Sequence, residues 1–161
     1  INECQVFPTQ KDANEWATSF KDGEPLDIVY YDPPYNKHPY NIYYFLLDII
    51  NDWDKTIEIP NTNRGQPLNW VTSDYNSTKK AKKAMKDLIE NTNAKYVILS
   101  YNDGGIIPIK ELDELLQETG KNMEKVPINH KTYNRLKGIS NYKREKDYKP
   151  VKEYLYIIQL L

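Results

Sequence analysis

Apolar residues recur along this chain with two different spacings, and each spacing predicts a different element. Positions three or four apart indicate helices at four places. Their apolar positions are 13, 16, 17 and 20; then 42, 45, 46, 49, 50 and 53; then 81, 84, 85, 88 and 89; and last 109, 112, 115 and 116. We expect Ser77 to cap the third helix and Gly120 to end the fourth.

Short runs rich in β-branched and aromatic residues predict strands. Three such runs are 27–31 (DIVYY), 96–101 (YVILSY) and 152–159 (KEYLYIIQ), of which YVILSY should be fully buried; residues 4–7 and 122–128 are further candidate strands. Residues 54–76 and 129–150 should be irregular. Strands that alternate with helices predict an α/β fold with a mainly parallel sheet. Ligands bind beyond the carboxyl ends of such strands, so the residues just after Tyr31 and Tyr101 should line a site.

The string directly after the second predicted strand carries the candidate chemistry. It reads Asp32-Pro33-Pro34-Tyr35. The two prolines fix φ and lack N–H groups, so they make a stiff loop whose carbonyls are free acceptors. Asp32 adds a carboxylate and Tyr35 adds a flat ring, a combination that suits an exocyclic amino group on a planar base. The alternative is a plain Pro-Pro turn, but placement after an apolar strand favours the functional interpretation.

An ordered set of motifs resembles one enzyme class. Asp-Pro-Pro-Tyr after a strand resembles the catalytic motif of amino-methyltransferases. The strings DIVYYDPPYNKHPY, YNSTKKAKKAMKDLI, YVILSYNDGGIIP, HKTYNRLKGIS and KEYLYII resemble, in this order, the C-terminal half of DNA adenine-N6 methyltransferases of the Dam-like and restriction–modification classes. The resemblance begins near Lys11. It implies a Rossmann-like methyltransferase fold with a mainly parallel sheet and a last antiparallel strand.

The resemblance also implies a mechanism in which a flipped adenine of double-stranded DNA enters the site. Asp32 and the carbonyl of Pro33 would accept hydrogen bonds from its N6 amino group. Direct methyl transfer from S-adenosylmethionine would follow, with no covalent enzyme intermediate. The implied catalytic residues are Asp32, Pro33, Pro34 and Tyr35, and the ring of Tyr35 would stack on the base.

Three further positions resemble family sites. Tyr133 resembles the second aromatic residue of the base pocket, with a surface tyrosine as the alternative. Asp12 and Ala13 resemble the segment that meets the cofactor's adenine, with an ordinary acid in the first turn of a helix as the alternative. Asp32 is expected near the methionine end of the cofactor. Tyr44 stands where family members often have histidine.

Charge changes the picture only locally. The net charge is −1, so the chain as a whole is no polyanion binder, but Lys121 to Lys152 contains ten basic and three acidic residues. This segment is a candidate phosphate-contacting surface. Composition favours an ordinary solvated loop to the same degree. Candidate DNA contacts, each of which could also be an ordinary solvated side chain, are Lys37, His38, Arg64, Asn76, Lys131, Arg135 and Lys137.

Composition excludes several other classes of protein. The 161 residues suffice for one domain, and the single Cys4 excludes an internal disulfide. Cys4, His38 and His130 make no metal-ligand set, so no metal is expected. Without a signal peptide or a membrane-spanning run, the expected location is the cytoplasm.

The chain also departs from the family pattern. The glycine-rich methionine loop and the target-recognition segment do not occur in it, so we expect residues 1–161 to be a partial catalytic domain whose missing segments lie upstream. Such a half-sheet would expose a strand edge and an apolar face. We favour a fragment of a longer enzyme over a split subunit or a decayed relative. On each of these interpretations, the chain alone should bind cofactor weakly and methylate poorly.

Competing functions remain open at the level of sequence. RNA guanine-N2 and protein N-methyltransferases also use Pro-Pro-Tyr loops, although the later motifs argue against them. DNA cytosine-N4 methyltransferases more often place serine before the two prolines. A non-catalytic subunit that docks onto DNA is the alternative from another class, and the intact Asp32–Tyr35 string argues against it.

Overall fold

The computed structural model describes residues 4–53, 55–58, 60–62, 65, 66, 68, 70–128 and 151–161. These residues form four helices, one 3-10 turn at Asp74–Asn76 and four strands. The elements in chain order are α1 (Ala13–Ser19), β1 (Leu26–Tyr31), α2 (Asn41–Asp52), α3 (Ala81–Asn91), β2 (Ala94–Asn102), α4 (Ile109–Thr119), β3 (Asn122–Ile128) and β4 (Glu153–Gln159).

The four strands form one mixed sheet in the order β1-β2-β4-β3. β1 is parallel to β2, with Val29 beside Val97. β4 is antiparallel to both of its neighbours. β1, β2 and β3 therefore run in one direction, and the last strand runs against them as predicted. Because β4 lies between β2 and β3, only one neighbouring pair is parallel, and the prediction of a mainly parallel sheet is corrected to a mixed one.

One face of the sheet carries the core. Alternate residues of a strand point to the same face, and on this face Val29, Val97, Leu99 and Tyr156 are buried. Helices α1, α3 and α4 supply the opposing apolar side chains. The buried helical residues are Ala17, Ala81, Met85, Leu88, Ile89, Leu112, Leu115 and Leu116. The periodicity of these three helices therefore identified every buried residue that they contribute to the core.

The opposite face of the sheet is exposed along β1 and at Tyr96 of β2, and partly exposed further along β2 and on β4. Ile28 and Tyr30 of β1 are 61% and 58% exposed, and Tyr96 of β2 is 43% exposed, so the prediction that β2 is fully buried is wrong. β1 is also an edge strand. Helix α2 contains no buried residue, although its apolar positions follow helical spacing; Leu46 and Ile50 are each more than half exposed.

Two local predictions are wrong. Residues 4–7 form no strand, and Val6 and Phe7 are exposed. A strand needs a neighbour for its backbone hydrogen bonds, and this segment has none among the described strands. The third helix starts at Ala81, and no side chain caps it. Ser73 caps the 3-10 turn instead, where its side chain accepts a hydrogen bond from the backbone N–H of Tyr75. Ser77 ends that turn, and it meets the third helix through its backbone carbonyl, which accepts from the N–H of Ala81 over 2.9 Å.

No helix in the described part of the chain has the length and apolar character needed to cross a membrane.

Candidate active site

The Asp32–Tyr35 loop lies where the sequence predicted a site, at the carboxyl end of β1. Because β1 and β2 are adjacent and parallel, this end also meets the turn that follows β2. The backbone N–H of Ile106 donates to the carbonyl of Tyr35 over 2.9 Å. The rings of Tyr35 and Tyr101 meet edge to face, with centroids 6.0 Å apart. The two strand ends are therefore joined directly at the loop.

Burial within the loop separates anchoring residues from accessible ones. Pro33 is buried, Pro34 and Tyr35 are half-buried, and Asp32 is exposed. A buried proline fixes the backbone on either side of it, since its φ cannot rotate. The carboxylate of Asp32 is thus presented to solvent from a rigid support.

Asn76 fastens the same loop from the other side. Its side chain is only 7% exposed. Its Nδ2 donates to the carbonyl of Asn36 over 2.8 Å, while its Oδ1 accepts from the backbone N–H of Ser73 over 3.0 Å. Asn76 was a predicted DNA contact, but the structure places it in the loop's support, with both ends of its amide engaged.

The Asn76 amide gives a direct test of loop support. We expect Asn76→Asp to keep the bond from Ser73 but to place a carboxylate against the carbonyl of Asn36. The expected cost is about 1–3 kcal/mol of folding free energy, because a buried donor is lost and two acceptors face each other. Displacement of the loop should also slow, about tenfold, the methyl transfer that the motif resemblance implies for the whole protein. Urea unfolding and single-turnover transfer measure the two effects.

Asn93→Asp is the matched control for this change. Asn93 also donates through its amide to a backbone carbonyl, that of Gly23, over 2.7 Å, but its bond is exposed. We expect it to leave the rate of transfer unchanged. Equal slowing by both variants would contradict a specific role for Asn76.

Tyr101, near the end of β2, packs against Tyr35 of the Asp32–Tyr35 loop. Its side chain is 2% exposed, and its hydroxyl oxygen accepts a hydrogen bond from the backbone N–H of Ile107 over 2.9 Å. Burial raises the pKa of Tyr101, so the phenol stays protonated near neutral pH. The ring thus holds both Tyr35 and the turn after β2.

The ring of Tyr101 occupies the space that a side chain on residue 105 would fill, so this position needs glycine. A Cβ on Gly105 would lie 2.7 Å from the hydroxyl oxygen of Tyr101. We expect Gly105→Ala to displace the ring, to cost about 1–3 kcal/mol of folding free energy and to slow the methyl transfer implied for the whole protein. Thermal unfolding and transfer rates test this. Gly104→Ala is the control, because its Cβ would meet Asn102 and Val151 only at 3.4 Å or more; an equal loss in the control would refute the explanation.

An aromatic pocket opens beside the loop, with a volume of about 160 Å³. Its lining residues are Pro34, Tyr35, Asn36, His38, Tyr40, Tyr43 and Tyr44. The three last tyrosines come from the first turn of α2 and the residue before it. Sequence reasoning missed this pocket, although the helical spacing of Tyr40 and Tyr44 directly after the loop was a signal for it.

The expected cofactor residues lie at the start of α1. Asp12 is the N-cap, and its Oδ1 accepts from the backbone N–H groups of Asn14 and Glu15 over 2.9 and 3.1 Å. Asn14 in turn fastens α1 to α3, since its Nδ2 donates to the carbonyl of Ala84. Asp12 and Ala13 are both exposed. No hydrogen bond in the described part of the chain joins them to Asp32.

The other predicted contacts divide into two groups. Lys37 and His38 are exposed in the turn after the loop, and the N–H of His38 donates to Oδ1 of Asn36. The remaining predicted contacts lie outside the described residues: Arg64, Lys131, Tyr133, Arg135 and Lys137. Within the described part of the chain, no cluster of three His, Cys, Asp or Glu side chains forms a candidate metal site.

Comparisons with known proteins connect the chain to one group of enzymes. It is 39% identical over 121 residues to the modification methylase StsI of Streptococcus sanguinis. The aligned residues make up 73% of the chain and 17% of that protein. It is 29% identical to the type II methyltransferase M.FokI of Planomicrobium okeanokoites, over 92% of the chain and 22% of that protein. It is 28% identical to M.NlaIII of Neisseria lactamica, over 96% of the chain and 42% of that protein.

The chain thus spans between about a sixth and two fifths of the length of these relatives. No family model and no solved structure matches it. The similarity confirms the part of the motif resemblance that concerns modification methylases, and the chain is similar along most of its length to DNA methylases of type II restriction–modification systems.

Proposed function

We propose that this chain is the catalytic part of a DNA adenine-N6 methyltransferase of a restriction–modification system, with S-adenosylmethionine as the methyl donor. The observation that carries the proposal is the exposed carboxylate of Asp32 on a loop held from two sides, next to an aromatic pocket. The names of the relatives support a modification methylase.

The chemistry asked of the chain is alignment. An exocyclic amino group is a weak nucleophile because its lone pair is delocalised into the base. Hydrogen bonds from that group to the Asp32 carboxylate and the Pro33 carbonyl would turn the lone pair out of the ring plane and offset the charge that develops on nitrogen. A rigid loop makes this effective, since acceptors that are already placed need no reorganisation during the reaction.

The cofactor would supply an electrophilic methyl group. The exposed carboxylate of Asp32 fits an acceptor for the cofactor's ammonium group, and exposed Asp12 and Ala13 are the proposed neighbours of its adenine. The capping bonds of Asp12 occupy Oδ1. We propose that further segments of the whole protein supply the glycine loop for the methionine end and cover the open sheet face at Ile28 and Tyr30, completing a Rossmann-like fold.

The test is transfer of a tritiated methyl group from S-adenosylmethionine to mixed-sequence DNA. It uses the chain alone and then the whole protein, meaning the chain with any further segments that it carries. We expect transfer by the whole protein, little by the chain alone, and N6-methyladenine as the labelled nucleoside after DNA hydrolysis. Labelled N4-methylcytosine, or label in RNA only, would replace the adenine assignment; DNA binding without transfer in either form would favour a docking subunit.

A further inference from the structure

The aromatic pocket contains more ring surface than the catalytic motif alone provides. Tyr35 belongs to the Asp32–Tyr35 loop, whereas Tyr40, Tyr43 and Tyr44 come from the start of α2. The three α2 tyrosines are 49%, 52% and 51% exposed. Tyrosines that serve the core of this molecule look different: Tyr101 is 2% exposed. The α2 rings therefore contribute little to the core and are available to a ligand.

The rings of Tyr40 and Tyr44 lie side by side and form one surface. Tyr40 and Tyr44 are four positions apart, so their side chains lie on the same side of the helix. Their ring centroids are 6.4 Å apart, with planes inclined by 49°. We call Tyr40 and Tyr44 the α2 wall. Buried Pro39 fixes the backbone just before it, and Pro34 and Tyr35 line the loop side of the same pocket.

The wall and the proposed catalytic carboxylate border the same loop, because Pro34 and Tyr35 line the pocket and Asp32 stands two positions before Pro34. Burial raises the pKa of Tyr40, and the negative charge of Asp32 is the next cause. The phenol of Tyr40 therefore stays neutral at neutral pH and can approach an uncharged base without the cost of a second anion beside Asp32. Four of the seven residues that line the pocket are tyrosines. A concave aromatic surface of this kind, beside the loop that carries Asp32, suits a planar heteroaromatic ring with an amino group.

We infer that the α2 wall of Tyr40 and Tyr44 holds the target base after it leaves the DNA duplex, as a second stacking surface in addition to Tyr35. This inference rests on the proposed function and assigns new residues to it. Stacking on the wall offsets part of the energy lost when the base leaves its neighbours in the duplex. The adenine of the cofactor has the same ring chemistry, so the test must separate the two sources.

The test compares the affinities of wild-type and variant whole protein for two DNA duplexes, both of which contain the sequence that the wild type methylates. One duplex carries the target adenine opposite an abasic position, and the other lacks the target base. We expect Tyr40→Ala and Tyr44→Ala each to weaken binding of the first duplex about 5- to 150-fold and to leave binding of the second unchanged. Tyr44→Phe, which keeps the ring, should restore most of the affinity for the first duplex. Because both side chains are half exposed, the variants should fold normally.

Three outcomes would overturn the inference. Equal weakening on both duplexes would mean that the tyrosines contact DNA elsewhere, and no weakening would mean that they do not contact it. Weaker binding of S-adenosylmethionine alone would assign the wall to the cofactor's ring. Each of these leaves the proposed function intact if the wild type still methylates adenine, whereas a wild type that methylates no DNA would overturn both proposals.

Discussion

Methyl transfer by the whole protein should fall about 10²–10³-fold when Asp32 is replaced by asparagine. Asparagine keeps the size of the side chain but removes the charge and one acceptor oxygen, and its NH₂ would repel the amino group that it must orient. Asp32 is exposed and lies just after the last residue of β1, so its replacement should leave stability unchanged. Single-turnover transfer of tritiated methyl groups at saturating DNA measures the chemical step, and urea unfolding checks the fold.

Asp27→Asn is the matched control for this experiment. Asp27 lies on β1, the strand that leads into the Asp32–Tyr35 loop, and its exposed carboxylate forms an ion pair with Lys95 over 2.7 Å. Exposed pairs contribute little to stability, so both stability and transfer should be unchanged. Full activity in Asp32→Asn would mean that another chain carries out the chemistry and that this one only docks onto DNA.

The parts of the fold that the sequence predicted are those decided by local pattern. β3 was predicted at residues 122–128 and forms there, directly after Gly120 ends the preceding helix as predicted; a glycine stop is readable without tertiary contacts. The stripes of α3 and α4 identified core residues for the same reason. The position of the Asp32–Tyr35 loop followed from one topological rule, namely that ligands bind beyond the carboxyl ends of parallel strands.

The parts that were missed depend on partners distant in sequence. The bond from Asn76 to Asn36 joins residues forty positions apart, so nothing near Asn76 distinguishes a buried loop support from a surface amide. Helical spacing in α2 revealed an apolar stripe but could not show whether another element covers it. The segment at Val6 and Phe7 has the composition of a strand, yet a strand forms only where a neighbour pairs with it.

The largest effect on stability is expected at Asp113, which joins α4 to two strands. Its carboxylate accepts from Lys125 Nζ over 2.8 and 2.9 Å and from the hydroxyl of Tyr156 over 2.8 Å. Tyr156 is fully buried. Asp113→Ala would leave that hydroxyl without its acceptor and Lys125 without its counter-ion in a partly buried position. The expected loss is about 2–4 kcal/mol of unfolding free energy, measured by urea unfolding.

Asp74→Ala is the control, because Asp74 forms an ion pair with Lys80 over 2.9 Å in which both side chains are more than half exposed. It should change stability little, and an equal loss in both variants would show that burial of the hydrogen bonds around Asp113 is irrelevant.

The pH dependence of stability gives a second, independent test of the bond between Asp113 and Tyr156. Burial, followed by the bond to Asp113, raises the pKa of Tyr156 above its unfolded value. Its contribution to stability is therefore complete below about pH 10 and is lost as the pH rises further, because the unfolded chain then ionises first. In Asp113→Ala this contribution is smaller, so the difference in stability between wild type and variant should narrow above about pH 10.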